Sequence, residues 1–547
     1  MKRSKNKIVS FAVIAILMCG AFAALSTYER NVNLSDSYAI DNLLGSADYD
    51  INFSIPFGGS NTDTFSAVAA TSDGGFVAAG YSAASSFGNG DWTGVTGRGG
   101  YDAIIVKFDT NGNVVWNKNF GGTYHDQFLA VTATSDGGFV AVGYSEAASF
   151  GNGDWTGVTG QGEQDAIIIK FDADGNVVWK NRVGGFGYDC FNAVAETSDG
   201  GLIAAGYSAA ASFGTGDWTD ETGRGDHDST IVKFDATGNV VWKKNFGGTG
   251  LDFFNAVTAT SDGGSIAVGI SNASSFGNGD WIGVTGRGYD DAIIVKFDID
   301  GNVVWKKHFG GSGSDQFRAV TATSDGGFVA VGYSTSFGNG DWTGVTGRGG
   351  GDAIIVKFDA SGNVIWKKNF GGVYSDSFYS VTATPDGGFV AAGQSLTESF
   401  GNGDWTGVTG RGGEDATIVK FDSDGNVVWK KNFGGSGNDL FHAVTATSDG
   451  GFVAVGYSLV ASFGTGDWTD ETGRGGQDAI IVKFSEPRNN NVDPIDDPTD
   501  VAVVVIKFVV SVLVIIGVGT LISRINPLIG ISSAALVGLI IAIVWWL

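Results

Sequence analysis

Cysteine, histidine, proline and positive charge are all scarce in this chain. Two Cys in 547 residues cannot build a disulfide framework, and four dispersed His cannot form a His-rich metal site. Lys and Arg number 33 against 58 Asp and Glu, a net charge of -25. Nucleic acid and anionic lipid headgroups both need cationic patches to displace counterions, so the charge argues against either as a partner. Six Pro cannot supply the turns of a chain this long, and Gly takes that part: 89 of them, about one residue in six, against a usual ~7%. Hydrophobic residues at 43% and aromatics at 12% are enough for a large core. The chain therefore folds, and it turns often.

The two ends differ in kind from the middle. Lys2, Arg3, Lys5 and Lys7 precede the apolar run Ile8 to Met18, and Ala21-Phe22-Ala23 offers small residues for cleavage, so residues 1–23 read as a secretory signal peptide. An uncleaved anchor is the alternative, since Ile8 to Leu25 is of borderline spanning length. Cys19 follows Met18, where a lipid-attachment motif wants a small residue. After cleavage Cys190 stands alone, and it reads as a buried apolar thiol. Residues 24–46 form an N-terminal linker. Ser485 to Asp500 is acidic, holds three of the six Pro and reads as a second linker. Beyond it, residues 501–522 and 527–547 are apolar runs separated by Ser523-Arg524-Ile525-Asn526, each long enough to cross a bilayer at ~1.5 Å per residue. They predict a transmembrane hairpin over 501–547, with Arg524 inside; one long tilted or re-entrant segment is the alternative. The cell membrane is the expected location, with the middle of the chain on its extracellular side.

The middle repeats. Phe-Gly-Gly begins at Phe57, Phe120, Phe246, Phe309, Phe370 and Phe433, with Val183 in the remaining place, so seven units follow one another at intervals of 63, once 61. In the unit from Phe120, β-branched and aromatic runs at 128–134, 139–145, 166–171 and 176–180 read as strands a to d. Asp136-Gly137-Gly138 and Asp172-Ala173-Asp174-Gly175 are tight turns, and a long Gly-rich loop joins b to c. The short unit has lost its two residues in that loop, as expected if the strands are paired and the loop is free.

The last unit stops after strand c. Before the first Phe-Gly-Gly, however, lies Asp50-Ile51-Asn52-Phe53-Ser54-Ile55-Pro56, in which Phe53 takes the place of Trp116 and Ile51 that of Val114. An open array would cap its ends with polar units. A ring instead borrows the first strand to complete the last sheet. The expected fold is thus all-β, a seven-bladed β-propeller over residues 47–484 of four-stranded antiparallel blades closed by an N-terminal strand, plus the C-terminal helical hairpin.

The d-strand hairpin, as in Phe234-Asp235-Ala236-Thr237-Gly238-Asn239-Val240-Val241-Trp242, resembles the Trp-docking motif of quinoprotein-type (PQQ-like) propeller repeats. The units are also similar to repetitive propellers of exported bacterial and archaeal surface proteins. The resemblance implies a blade-to-blade docking role for Trp116, Trp179, Trp242, Trp305, Trp366 and Trp429, with Phe53 in the seventh place. It implies no chemistry: the Asp-to-Gly spacing differs, and nothing matches a quinone or calcium ligand set.

In such a meander the a–b and c–d turns share one face and the long b–c and d–a loops the other, where binding is expected. The b–c loops carry Trp92, Trp155, Trp218, Trp281, Trp342, Trp405 and Trp468, and Arg98, Arg224, Arg287, Arg348, Arg411 and Arg474, with Gln161 once. These are candidates to stack sugar rings or grip acidic groups; the competing reading has each Trp pack back onto its own loop or the next blade with the Arg stacked on it. Asn89, Asp91 and Asp102 are weak calcium candidates, since Asn-Gly-Asp is also ordinary turn chemistry. The Asp before strand a recurs seven times (Asp63, Asp126, Asp189, Asp252, Asp315, Asp376, Asp439), which suits bonding to backbone amides better than catalysis.

An active site should break the symmetry in one sector with clustered acids or nucleophiles. The departures Gln161, Cys190, His227, His308, His442, Asp220-Glu221 and Asp470-Glu471 are scattered. The expectation is a non-enzymatic, cofactor-free surface propeller, tethered by its C-terminal helices and binding glycan, matrix or protein. An exported polysaccharide-acting enzyme and a structural envelope component are the alternatives.

Overall fold

The computed structural model describes residues 50–485. The signal peptide, both linkers and the apolar hairpin lie outside the described residues, and among those described no helix is long and apolar enough to cross a membrane.

Seven four-stranded antiparallel sheets follow one another along the chain. The first blade comprises β2 (Asp63–Ala70), β3 (Phe76–Ala83), β4 (Tyr101–Phe108) and β5 (Val114–Phe120), the a to d strands of the repeat. Strand a contains a bulge between Phe65 and Ala67 that recurs in each blade and that the pattern of the sequence does not announce. In the short unit the two-residue loss removes the first 3₁₀ turn of the b–c loop and trims strands b and c by one residue each.

The seventh sheet is made from both ends. Its order is β1 (Asp50–Phe57), β28 (Gln477–Ser485), β27 (Phe452–Leu459), β26 (Asp439–Ala446). Within it Phe53 faces Lys483 as Trp116 faces Lys107 in the first blade, so the borrowed strand enters in the expected register. Arg474 Nη1 donates to Pro56 O at 2.8 Å, and Gln477 Nε2 to the hydroxyl of Thr64 in the first blade.

Each blade lies between two others, and its c strand is accordingly apolar on both faces: Ala103-Ile104-Ile105-Val106 is wholly buried. One face of the first blade (Phe65, Phe76, Ala78, Ile104) packs on Val453, Val455 and Ile481 of the seventh. The other face (Val77, Ala79, Ile105) packs on Phe128, Phe139 and Ile167 of the second. Seven such inter-blade cores exist, the one between last and first included. At roughly 1.5–3 kcal/mol for each large side chain buried, no blade is stable without its neighbours. Only the a strands of successive blades approach one another all the way round, so they surround the axis and the d strands form the rim.

Candidate functional site

The long-loop face is built on seven buried aspartates. Asp63, at the start of strand a, accepts hydrogen bonds from Gly59 N–H, Ser86 Oγ and Trp92 Nε1, each at 2.9 Å. Asp126 holds Gly122, Ser149 and Trp155 in the same way, and Trp218, Trp342 and Trp405 donate to Asp189, Asp315 and Asp376. Trp281 and Trp468 donate to Ser271 and Ser458, their own b-strand serines. Burial pushes these carboxyl groups up against the pull of their donors, Asp376 to about 6.

This geometry corrects the reading of the loop tryptophans as a stacking surface. A 3₁₀ turn at Gly-Asp-Trp (Gly90–Trp92 in the first blade) aims the indole inward, and Trp92, Trp155, Trp218, Trp281, Trp342, Trp405 and Trp468 are at most 1% exposed. Six lie edge-on to the Phe of a Phe-Gly-Gly, as Trp92 does to Phe57 at 5.1 Å, and Trp218 shares a core with Val183, which takes that place in its unit. A sugar cannot reach them.

The loop arginines do not stack on these indoles either. They reach across to the next blade and pair with the Asp of its Gly-Asp-Trp turn: Arg98 with Asp154 (3.1 Å), Arg224 with Asp280 (3.3 Å), Arg287 with Asp341 (2.5 Å), Arg348 with Asp404 (3.0 Å), Arg411 with Asp467 (3.2 Å), and Arg474 with Asp91 (3.1 Å) across the closure. Where Gln161 breaks the pattern, Arg182 from strand d of the same blade bonds Asp217 at 2.5 Å. The circle of seven is complete, its missing arginine supplied from a position 21 residues along. Partly exposed pairs of this kind contribute about 0.2–1 kcal/mol each. They fix blade to blade and leave little of the guanidinium fork for a ligand.

The calcium candidates are likewise committed to protein donors. Asn89 Nδ2 donates to the carbonyls of Ser85 and Phe87. Asp91 accepts Gly58 N–H besides its arginine, and Asp102 accepts Arg98 N–H, Gly99 N–H and Asn119 Nδ2. Among the described residues no three His, Cys, Asp or Glu side chains are grouped so as to hold a metal ion.

On the rim five of the six d-strand tryptophans lie against the c–d turn of the next blade. Trp116 Nε1 donates to Ala173 O (3.1 Å), Trp179 to Ala236 O, Trp242 to Ile299 O and Trp366 to Ser423 O. Trp305 sits on the turn of the following blade, and Trp429 is buried in the core between the sixth and seventh blades. The turn glycine is required twice over: Gly238 has φ +87°, and a Cβ there would come within 2.7 Å of the Trp179 ring. Phe53 takes the equivalent place on Gly112.

A second repeated pair went unread in the sequence. Lys107, in the buried Val-Lys-Phe end of strand c, donates to Asp73 (2.9 Å) and Thr71 of the a–b turn, and six equivalents do the same. A lysine recurring seven times in an otherwise apolar strand was the available signal, because a buried charge needs a partner.

What the repeat does not absorb is concentrated in two places. The long-loop face exposes aromatic and aliphatic side chains at positions that are small or polar in most other units: Tyr124, Phe186, Tyr188, Leu251, Val373 and Tyr374 on d–a loops, and Ile282, Tyr289 and Val460 on b–c loops, with Phe186 61% and Tyr289 78% exposed. Around the axis, the residue at the strand-a bulge is Ser66, Leu129, Asn192, Asn255, Arg318, Tyr379 and His442 in turn. Cys190 is a buried free thiol, pushed up by burial.

The fold and these sites define a seven-bladed β-propeller. No protein-family model matches the chain. A curated relative, the regulatory protein FlaEY of Caulobacter vibrioides, is 24% identical over 243 residues, covering 40% of this chain and 24% of its own length, so the chain matches about a quarter of that protein. Among solved structures, BamB from Moraxella catarrhalis aligns with 80% of this chain and 100% of its own at 12% identity and TM-score 0.35. Sqt1 from Chaetomium thermophilum covers 80% and 100% at 12% identity and TM-score 0.38.

Proposed function

We propose that this protein is a non-enzymatic binding propeller, carried at the cell surface by its C-terminal apolar spans, that engages a glycan or protein partner through its long-loop face. The observation that carries the reading is the set of exposed aromatic and aliphatic side chains on that face, Tyr124, Phe186, Tyr188, Leu251, Ile282 and Tyr289 among them, at positions that are small or polar in most other units. Exposed aromatic side chains of this density suit the faces of sugar rings or the apolar anchors of a partner. The recurring arginines of this face are paired within the fold, so the variation is free to serve recognition. Asp50 and Ser485 pair with each other at the tight-turn edge of the seventh blade.

The test is binding of the full-length chain to glycan and surface-protein arrays, beside a variant carrying Phe186→Ser and Tyr289→Ser. The reading expects specific hits that weaken at least about tenfold in the variant, the scale of one or two lost aromatic anchors. Unchanged hits in the variant, or turnover of a polysaccharide by the wild type, would replace it with another.

A further inference from the structure

Eight arginines lie among the described residues, and seven of them close the inter-blade ring. Arg318 is the eighth. It occupies the strand-a bulge of the fifth blade, on the strands that surround the axis, and among the described residues it forms no ion pair. Its guanidinium lies 4.3 Å from the ring centre of Tyr379, the bulge residue of the next blade, and 5.2 Å from that of Tyr333. Tyr379 in turn meets His442, the bulge residue of the seventh blade, at 6.0 Å, and His442 meets Tyr457 at 5.7 Å. Three consecutive inner strands thus carry a cation, a phenol and an imidazole where three other blades carry Ser66, Asn192 and Asn255. Arg318, Tyr333, Tyr379, His442 and Tyr457 are all half-buried, so solvent reaches them.

Two features say what this cluster lacks. Arg318 Nε is buried and has no hydrogen-bond partner. Glu414, whose field is felt at Tyr379 and Tyr457, is held instead by the Gln394 amide at 3.2 Å. A partly desolvated guanidinium with π-faces beside it and no anion is electrostatically incomplete. Its planar fork matches a carboxylate, which it can hold with two parallel charge-assisted bonds. The identity of the anion is further narrowed by the rest of the molecule. A chain with net charge -25 repels polyanions at long range, whereas one carboxylate on an otherwise neutral body meets that repulsion only once. The hydroxyls of Tyr333, Tyr379 and Tyr457 and the amide of Gln394 offer hydrogen bonds to such a body.

We propose that the axial side chains Arg318, Tyr333, Tyr379, His442 and Tyr457 form a binding site for a small monocarboxylate, an acidic sugar being the class that fits best. The site is separate from the exposed loop aromatics and does not depend on them.

The experiment titrates the full-length protein with D-glucuronate, with D-glucose as the neutral control and inorganic phosphate as the competing anion. Saturable glucuronate binding in the millimolar range or tighter is expected, with neither control binding comparably. Arg318→Gln should weaken it at least about tenfold without moving the thermal midpoint. Should that variant fold poorly, Arg318→Lys keeps a cation but loses the fork, and it too should weaken binding. Phe186→Ser with Tyr289→Ser should leave glucuronate affinity unchanged, so failure here and failure of the loop-face reading are separable. No saturation by ~50 mM glucuronate, equal affinity in an Arg318 variant that folds, or preference for phosphate would overturn the proposal.

Discussion

The inter-blade ring and the axial wall are built from the same seven units, yet they treat a departure from the repeat in opposite ways. In the ring a lost arginine is replaced: Gln161 is answered by Arg182, which reaches the same aspartate position on the next blade. At the axis the bulge residue runs from Ser66 and Leu129 to Arg318 and His442 with no compensation, and among the described residues Arg318 meets the Tyr379 ring and no carboxylate. Sevenfold recurrence with repair marks what holds the molecule together. Recurrence that lapses without repair marks where structure makes no demand and recognition can.

That contrast can be broken first at the closure. Deleting residues 50–57 removes strand d of the seventh blade and takes Phe57 and Phe53 from the core between the last and first blades; the expected result is loss of cooperative folding, read as aggregation and loss of near-ultraviolet dichroism. A propeller that melts normally without this strand would remove the basis for assigning faces.

Next in size is the buried node under each loop. Trp155→Ala empties a fully buried site and takes one donor from Asp126 and Ser145. A cost of about 3–5 kcal/mol is expected from chemical denaturation, while glucuronate affinity stays the same. Arg318→Gln should show the converse.

The carboxyl groups sharpen the contrast through pH. Asp376 titrates at about 6 in the folded chain, raised by burial, against ~3.9 unfolded. Between those values the folded state holds a proton that the unfolded state has lost, so stability falls as pH rises from 4 to 6, and its sister aspartates act in the same direction. Asp136 and Asp262 are held down to about 2 by Lys170 and Lys296. There the unfolded state takes protons first, and stability falls as pH drops from 4 to 2. Thermal midpoints measured from pH 2 to 8 should therefore peak near 4 to 5; a peak at 7 or above would mean that the buried aspartates are ionised throughout.

The smallest effect expected is in the ring. Arg182→Gln should cost about 0.2–1 kcal/mol, and adding Gln161→Arg should restore it, because either position can reach Asp217. Additive losses in the double variant would show that the two positions do not share one partner.

Most of the architecture was legible because the chain states it seven times. The offset of Phe53 against Trp116 announced the borrowed strand, and the Asp before strand a announced a backbone anchor. Whether the loop tryptophans form a surface or pack inward stayed open in the sequence, because composition and spacing place Trp92 in a Gly-rich loop and cannot tell which way a 3₁₀ turn aims it. The ring escaped notice because its partners, Arg98 and Asp154, lie in different units, and a pairing between repeats leaves no local pattern. Lys107 was passed over within an apolar run. Arg318 could have been found: it is the arginine at a position where other units carry Ser, Leu or Asn, and only the packing of Tyr379 against it gives that substitution meaning.

Hydrogen exchange across the closing sheet tests the account most directly. In a shut ring β28 is an inner strand with both edges bonded, so its amides should be as protected as those of β4 in the first blade. If β28 lacks β1 beside it, every second amide faces solvent like that of a sheet edge, and exchange of Gln477–Ser485 orders of magnitude faster than that of Tyr101–Phe108 would contradict the closed propeller.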